Sequence, residues 1–184
     1  MPFSLRSMYD WAVQECSRTD LEYNQSYRNQ QVNPNTGKIC YDCSSFTFFA
    51  CWLGGGLDVG AFGYSTNISD YHTGIANAWT VTPMVTVLES LPGWQRLDPR
   101  VVQWQEGDIL ALTATHCEIC YRPPTRTMGA HNPARGVSIN DFETGYNYYD
   151  ILLRYTGSGP TPGGRMPIWL IKRAIENQKG GFIF

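Results

Sequence analysis

The sequence predicts an α+β fold with helices first and an antiparallel sheet after them. Three observations carry this. Apolar residues recur at helical spacing in two early segments, and six short strand-like segments follow from Trp94 onward. Hydrophobic residues make up 42% of the chain, which supplies a core for most of its length and argues against disorder.

Ser4 is placed to cap a first helix over residues 5–17, because Leu5, Met8, Tyr9, Ala12, Val13 and Cys16 fall on one face. Residues 18–42 are polar and rich in Asn and Gln, with a turn at Asn33-Pro34-Asn35-Thr36-Gly37. A second helix is expected to begin at Cys43 or Ser44 and run to Leu53. Its apolar face is Phe46, Phe49, Ala50 and Leu53, and Gly54-Gly55-Gly56 stops it. Residues 57–81 read as loop with scattered aromatics. Thr82-Pro83 then reads as cap and first residue of a short helix over 83–90, closed by Leu91-Pro92-Gly93. Strands are expected at 94–97, 108–113, 116–121, 126–131, 136–140 and 150–155.

The 184 residues suit one domain and a short appendage. The domain is assigned to residues 1–156 and a linker of Gly, Pro and Ser to 157–164. Residues 165–184 form a tail with room for one helix near 168–177. Such a tail could dock on the domain, mediate assembly, or be the stub of a longer chain. No internal repeat is present.

Net charge is -2 and no basic stripe stands out, so nucleic acid is not expected as a partner. Aromatics at 14% with few charges suit a groove for a neutral or mixed polymer, and equally a plain aromatic core. Trp52, Trp79, Trp94 and Trp104 are assigned to the core, and His72 to a loop or groove lining. Residues 1–30 carry Arg6, Asp10, Glu15, Arg18, Asp20 and Glu22 without an apolar run, so no secretory signal is read there, and no segment reaches the length of a membrane span. Synthesis in the cytoplasm is expected, with release or carriage by another agent if the protein works outside. Six cysteines without a signal point to free thiols, a metal site or a catalytic thiol rather than a disulfide framework.

Three segments bear chemistry. In Tyr41-Asp42-Cys43-Ser44-Ser45-Phe46 a cysteine opens a helix, where free N–H groups and the helix dipole lower a thiol pKa and can hold an oxyanion. The same pattern fits a buried structural cysteine. In Gly107-Asp108-Ile109-Leu110 followed by His116-Cys117-Glu118-Ile119-Cys120-Tyr121, two strands joined by a tight turn put His116 at a strand start, rigid enough to serve as a base or simply to line a sheet edge. In Met128-Gly129-Ala130-His131-Asn132-Pro133, a neighbouring strand ends in His131, with Asn132 in reserve, as groups able to orient the imidazole of His116. An Asn-Pro turn is the structural alternative.

The order of these segments resembles the NlpC-like cell-wall cysteine peptidases, and more closely the bacteriophage peptidoglycan hydrolases of the phage amidase group. That group carries Tyr-Asp-Cys-Ser-Ser and an Asn followed by Gly-x-Ser-x-Asn-Asp, similar to Asn132 and Gly136-Val137-Ser138-Ile139-Asn140-Asp141 here. The segment Tyr23-Asn24-Gln25-Ser26-Tyr27-Arg28 also resembles it. The resemblance spans about residues 5–155. It implies a papain-like fold with the nucleophile helix packed on a short antiparallel sheet. It further implies Cys43 as nucleophile, His116 as general base and His131 as the third, orienting residue. Tyr23, Asp42 and Ser44 would lie at the stem-peptide site, and no cofactor or metal would be needed. The implied activity is hydrolysis of an amide bond in bacterial peptidoglycan, as an N-acetylmuramoyl-L-alanine amidase or a stem-peptide endopeptidase. The setting would be an endolysin released through a holin or a virion-associated lysin, with phage tail proteins as partners of the C-terminal tail. The sequence departs from the pattern at Ser45, where Gly is common, and in the extra Arg122-Pro123-Pro124-Thr125-Arg126 loop between the two histidines.

Two readings compete. One is a non-catalytic phage structural or binding protein that kept the fold. The other takes Cys40-x-x-Cys43 and Cys117-x-x-Cys120 as a four-cysteine zinc site. Against the zinc site, a spacing of three along a strand points Cys117 and Cys120 to opposite faces. The Gly-rich knuckle is also missing, and the gap between the pairs is long.

Overall fold

The computed structural model describes residues 2–124, 126–140 and 148–157. Nearly all of the expected linker, the tail at 165–184 and Asp141 lie outside the described residues. The chain is α+β, built around two sheets. Helix α1 (Leu5–Cys16) is capped by Ser4, whose side chain accepts from the Ser7 N–H. The polar stretch after it holds three strands that its composition concealed: β1 (Leu21–Tyr23), β2 (Asn29–Val32) and β3 (Ile39–Tyr41). They form a small sheet in the order β1-β3-β2, with β1 parallel to β3 and β2 antiparallel to it. Strands this short carry too little apolar alternation to be read from sequence.

Strand β3 runs directly into α2 (Cys43–Phe49), which continues through a π-helical turn at Ala50–Gly54. The Gly55 N–H donating to the Ala50 carbonyl at 2.9 Å closes that wider turn. Gly54 is needed for packing as well as for ending the helix: a Cβ there would lie 2.6 Å from Trp11 Cβ and 3.2 Å from Met8 Cα, so α1 could not approach as closely. Residues 57–81, expected to be loop, contain a 3₁₀ turn at Val59–Phe62 and helix α3 (Ile68–His72). The next helix, α4 (Val81–Glu89), starts from Thr80, two residues before the expected cap.

The six strands expected from Trp94 onward all form: β4 (Trp94–Leu97), β5 (Ile109–Leu112), β6 (His116–Arg122), β7 (Arg126–Asn132), β8 (Gly136–Ile139) and β9 (Ile151–Tyr155). They make one antiparallel sheet in the order β4-β9-β5-β6-β7-β8. Helices α1 and α2 pack against β6 and β7. The main core fills this side, where Phe48 on α2 touches Phe49, Trp52, Tyr64, Tyr71 and Trp79 at ring separations of 5.1–5.8 Å. A second, smaller core of Trp104, Leu110, Cys120, Tyr149 and Leu152 forms apart from it. Trp79, Trp94 and Trp104 are buried, as expected. Among the described residues no helix is long and apolar enough to cross a membrane.

Because α2 is anchored through Phe48, Phe48→Ala should cost about 3–5 kcal/mol, read as a lower urea midpoint, since the surrounding rings cannot collapse fully into the space left. A loss below about 1 kcal/mol would show that the aromatic cluster does not fix the helix.

Candidate functional site

The site begins with the start of α2. Asp42 is its N-cap, extended at φ -108 and ψ 177, and Oδ1 accepts from the Ser45 N–H at 2.7 Å. Ser45 Oγ in return accepts from the Asp42 N–H at 2.9 Å, completing a capping box and placing Cys43 at the first helical position. The lead-in strand is tied to α1, where the Tyr41 hydroxyl donates to Glu15 at 2.9 Å.

Strand β6 brings the second component. The turn between β5 and β6 is clamped by Asp150, whose carboxylate accepts from the Thr113 N–H at 2.9 Å and its hydroxyl at 2.6 Å. His116 opens the strand just beyond that turn. The Cys43 sulfur neighbours the His116 ring and the Cys117 thiol.

The third component is Glu118, which sequence reasoning passed over. Residues two apart on a strand share a side, so Glu118 stands next to His116. Its Oε1 accepts from His116 Nε2 at 2.8 Å and from His131 Nδ1 at 2.5 Å. Its Oε2 accepts from the Thr127 hydroxyl, the Tyr149 hydroxyl at 2.6 Å and Asn140 Nδ2 at 3.3 Å. A carboxylate can only accept, so the hydrogens on the two facing ring nitrogens are assigned from it. With Nε2 committed to Glu118, His116 has Nδ1 left for Cys43.

These contacts set the charges. The Cys117 thiol beside the Cys43 sulfur is the main cause lowering the Cys43 pKa. Burial opposes it and the His116 ring adds to it, and the result is about 5. Burial pushes His116 down, but hydrogen bonds with Cys43 and Glu118 outweigh it and raise the ring to about 9. Burial would likewise lift Glu118, yet the two imidazoles hold it well below the usual carboxylate range. Between about pH 5 and 9 the resting site is therefore a thiolate beside an imidazolium, with an ionised carboxylate behind it.

The structure brings Cys43 and His116 together, and Tyr23 with them. The Tyr23 phenol is partly buried, accepts from Gln25 at 3.0 Å, and is raised by burial and then by the charge of Cys43. The other four expected residues are placed as follows. His131 hydrogen-bonds Glu118 rather than the His116 ring. It is buried behind Glu118, with Nε2 donating to the Ser138 carbonyl at 2.8 Å. Asn132 Oδ1 accepts from the Ala134 and Arg135 N–H groups of the β7–β8 turn, both at 3.0 Å. Asp42 is turned inward: Oδ1 serves the cap, and Oδ2 lies 2.6 Å from Arg28 Nε in an ion pair without hydrogen-bond alignment. Ser44 Oγ is held between Arg28 Nη2 at 2.7 Å and Asp42 Oδ1 at 3.2 Å, so it is internal too. Arg28, in the turn before β2, joins that turn to the start of α2 and to the Trp79 carbonyl.

His72, at the end of α3, lines an open groove with Tyr27, Gln30, Gln31, Val32 and Ile39, and its ring pairs with Gln30 at 3.1 Å. The cysteines do not converge on a four-thiolate centre. Cys40 donates to Glu22 at 3.5 Å, Cys117 lies in the main core, and Cys120 lies in the second. All six are free thiols. Among the described residues, the one grouping of metal-ligand atoms is His116, Glu118 and His131, within 4.8 Å of one another, and their contacts are those of hydrogen bonds. Comparison with protein-family models, with curated proteins and with solved structures finds no match for this chain.

Alkylation of Cys43 by iodoacetamide should switch on near pH 5, far below an ordinary thiol, when followed by peptide mass. Glu118→Gln removes the charge that holds the imidazolium, so the onset should move up toward the ordinary thiol range. An unchanged onset would show that Glu118 does not act through His116. The sign for stability is also fixed. The folded Glu118 carboxyl lies below its unfolded value of about 4.3, so its contribution is present above that pH and lost as pH falls. Wild type should thus lose more stability on acidification than the Gln variant, by urea midpoints at several pH values.

Proposed function

We propose that the chain is a cysteine-dependent peptidoglycan hydrolase of the phage amidase type, with an NlpC-like, papain-like catalytic domain. The observation that carries the reading is the Cys43–His116–Glu118 alignment: a thiol at a helix start, an imidazole at a strand start, and a buried carboxylate fixing the far ring nitrogen. That is the order of roles a thiol acyl transfer requires. The cell-wall substrate is supported by the Tyr41–Phe46 motif and the resemblance it belongs to.

In this mechanism the Cys43 thiolate attacks the scissile carbonyl carbon. The N–H groups of Cys43 and Ser44, at the open end of α2, are the donors for the oxyanion. His116 gives its proton to the leaving amine, which departs and leaves a thioester on Cys43. Water then attacks the thioester as His116 takes a proton from it, and the released sulfur returns as thiolate. Glu118 keeps the ring turned so that Nδ1 faces the sulfur throughout. His131, Thr127, Tyr149 and Asn140 hold Glu118 in place and act as positioning residues. No step calls for a metal or cofactor. The protein would be made in a host cytoplasm and reach the wall by holin release or as a virion component, with tail proteins as candidate partners of residues 165–184.

Purified Gram-positive walls should lose turbidity with the wild-type protein. Cys43→Ala should lower the rate by roughly 10⁴-fold or more, as removal of a nucleophile does elsewhere. Clearance by the variant at the parent rate would overturn the thiol mechanism, and no turnover of any wall would favour a non-catalytic protein. Defined muropeptides read by product mass separate the two bonds: a product retaining L-alanine on the sugar rules out the amidase.

A further inference from the structure

Catalysis as described uses Cys43 as nucleophile and leaves the thiol of Cys117 without a chemical step. Yet Cys117 is fully buried on β6, next in sequence to His116, with its sulfur beside that of Cys43. One hydroxyl joins the two residues: Thr47 Oγ1 donates to the Cys43 carbonyl at 3.1 Å and lies 3.5 Å from Cys117 Sγ. The cross-strand neighbour of Cys117 is the small apolar Ala111. Cys43 is the only cysteine of the six with a lowered pKa. Cys16, Cys40, Cys51, Cys117 and Cys120 are all raised, chiefly by burial.

We propose that Cys43 and Cys117 form a hydroperoxide-oxidisable pair, in which Cys117 is the resolving thiol that captures oxidised Cys43 as a disulfide. The Cys43 sulfur attacks the distal oxygen of the hydroperoxide. The O–O bond breaks, Cys43 becomes a sulfenic acid, and the departing oxide takes a proton from His116. The Cys117 sulfur then attacks the Cys43 sulfur. An S–S bond forms, the S–O bond breaks, and the hydroxide leaves as water with the Cys117 proton. Two thiols and one hydroperoxide thus give one disulfide, one alcohol or water, and one further water. The sulfurs, already neighbours, need to close to about 2.05 Å. A dithiol reductant reverses the bond by exchange. The captured state keeps the nucleophile from irreversible oxidation to sulfinic acid. It depends on the thiolate geometry alone and stands whichever bond, or none, the protein cuts.

The test uses the full chain, treated with hydrogen peroxide, blocked with iodoacetamide without reduction, digested and read by mass. The expected result is a Cys43–Cys117 linked peptide, and full return of Cys43 alkylation after dithiothreitol. In Cys117→Ala and Cys117→Ser the returned fraction should fall by about tenfold, with Cys43 recovered as sulfinic or sulfonic acid. The linked peptide is sought in wild type, so the test survives a variant that fails to fold. Cys43 overoxidised in wild type with Cys117 still free, Cys43 linked to another cysteine, or equal recovery in wild type and variants would each overturn the pairing.

Discussion

One buried carboxylate organises the site. Glu118 is 4% exposed and takes hydrogen bonds from five donors carried by two strands, β6 and β7, and the segments that follow β8 and precede β9. An ionised group in that position would be intolerable without them. The donors therefore cannot be lost one at a time without stranding a charge, which couples the strand register of β6, β7 and β8 to the orientation of one imidazole. The thiolate, the imidazolium and the carboxylate form an alternating row of charges, each lowering the cost of burying the next.

Much of this was legible in the sequence, and the parts that were not have physical reasons. Helix α1 and the six later strands announce themselves by period, and Cys43 and His116 by the kind of element they open. The small sheet of β1, β2 and β3 did not, because three or four residues give no period to read. Glu118 was hidden for a different reason. A carboxylate in a strand reads as a solvent-facing residue unless the folded neighbours that neutralise it are known, and Thr127, Asn140 and Tyr149 are 9, 22 and 31 residues away. The clue was the alternation itself: His116 and Glu118 share one side of β6. His131 was a reasonable candidate by strand adjacency, but the carboxylate stands between the two rings.

Arg28 shows the same limit from another side. Its guanidinium reaches Asp42, Ser44 and the carbonyl of Trp79, so it ties a turn, a helix start and a loop that sequence places far apart. This contact explains why the acid before Cys43 is internal. Asp42 is occupied twice over, by its own helix and by a cation, and so holds Cys43 at the helix start.

The capping box at Asp42 and Ser45 has a geometric consequence as well. A helix advances about 100° and 1.5 Å per residue, so the residue at which it begins decides which way its first side chain points. Were α2 to start one position earlier or later, the thiol would swing by that angle, away from a ring that is itself clamped on the sheet. The cap thus acts as an angular index between β3 and α2, and a one-residue insertion or deletion at that junction would leave a folded helix whose thiol points elsewhere.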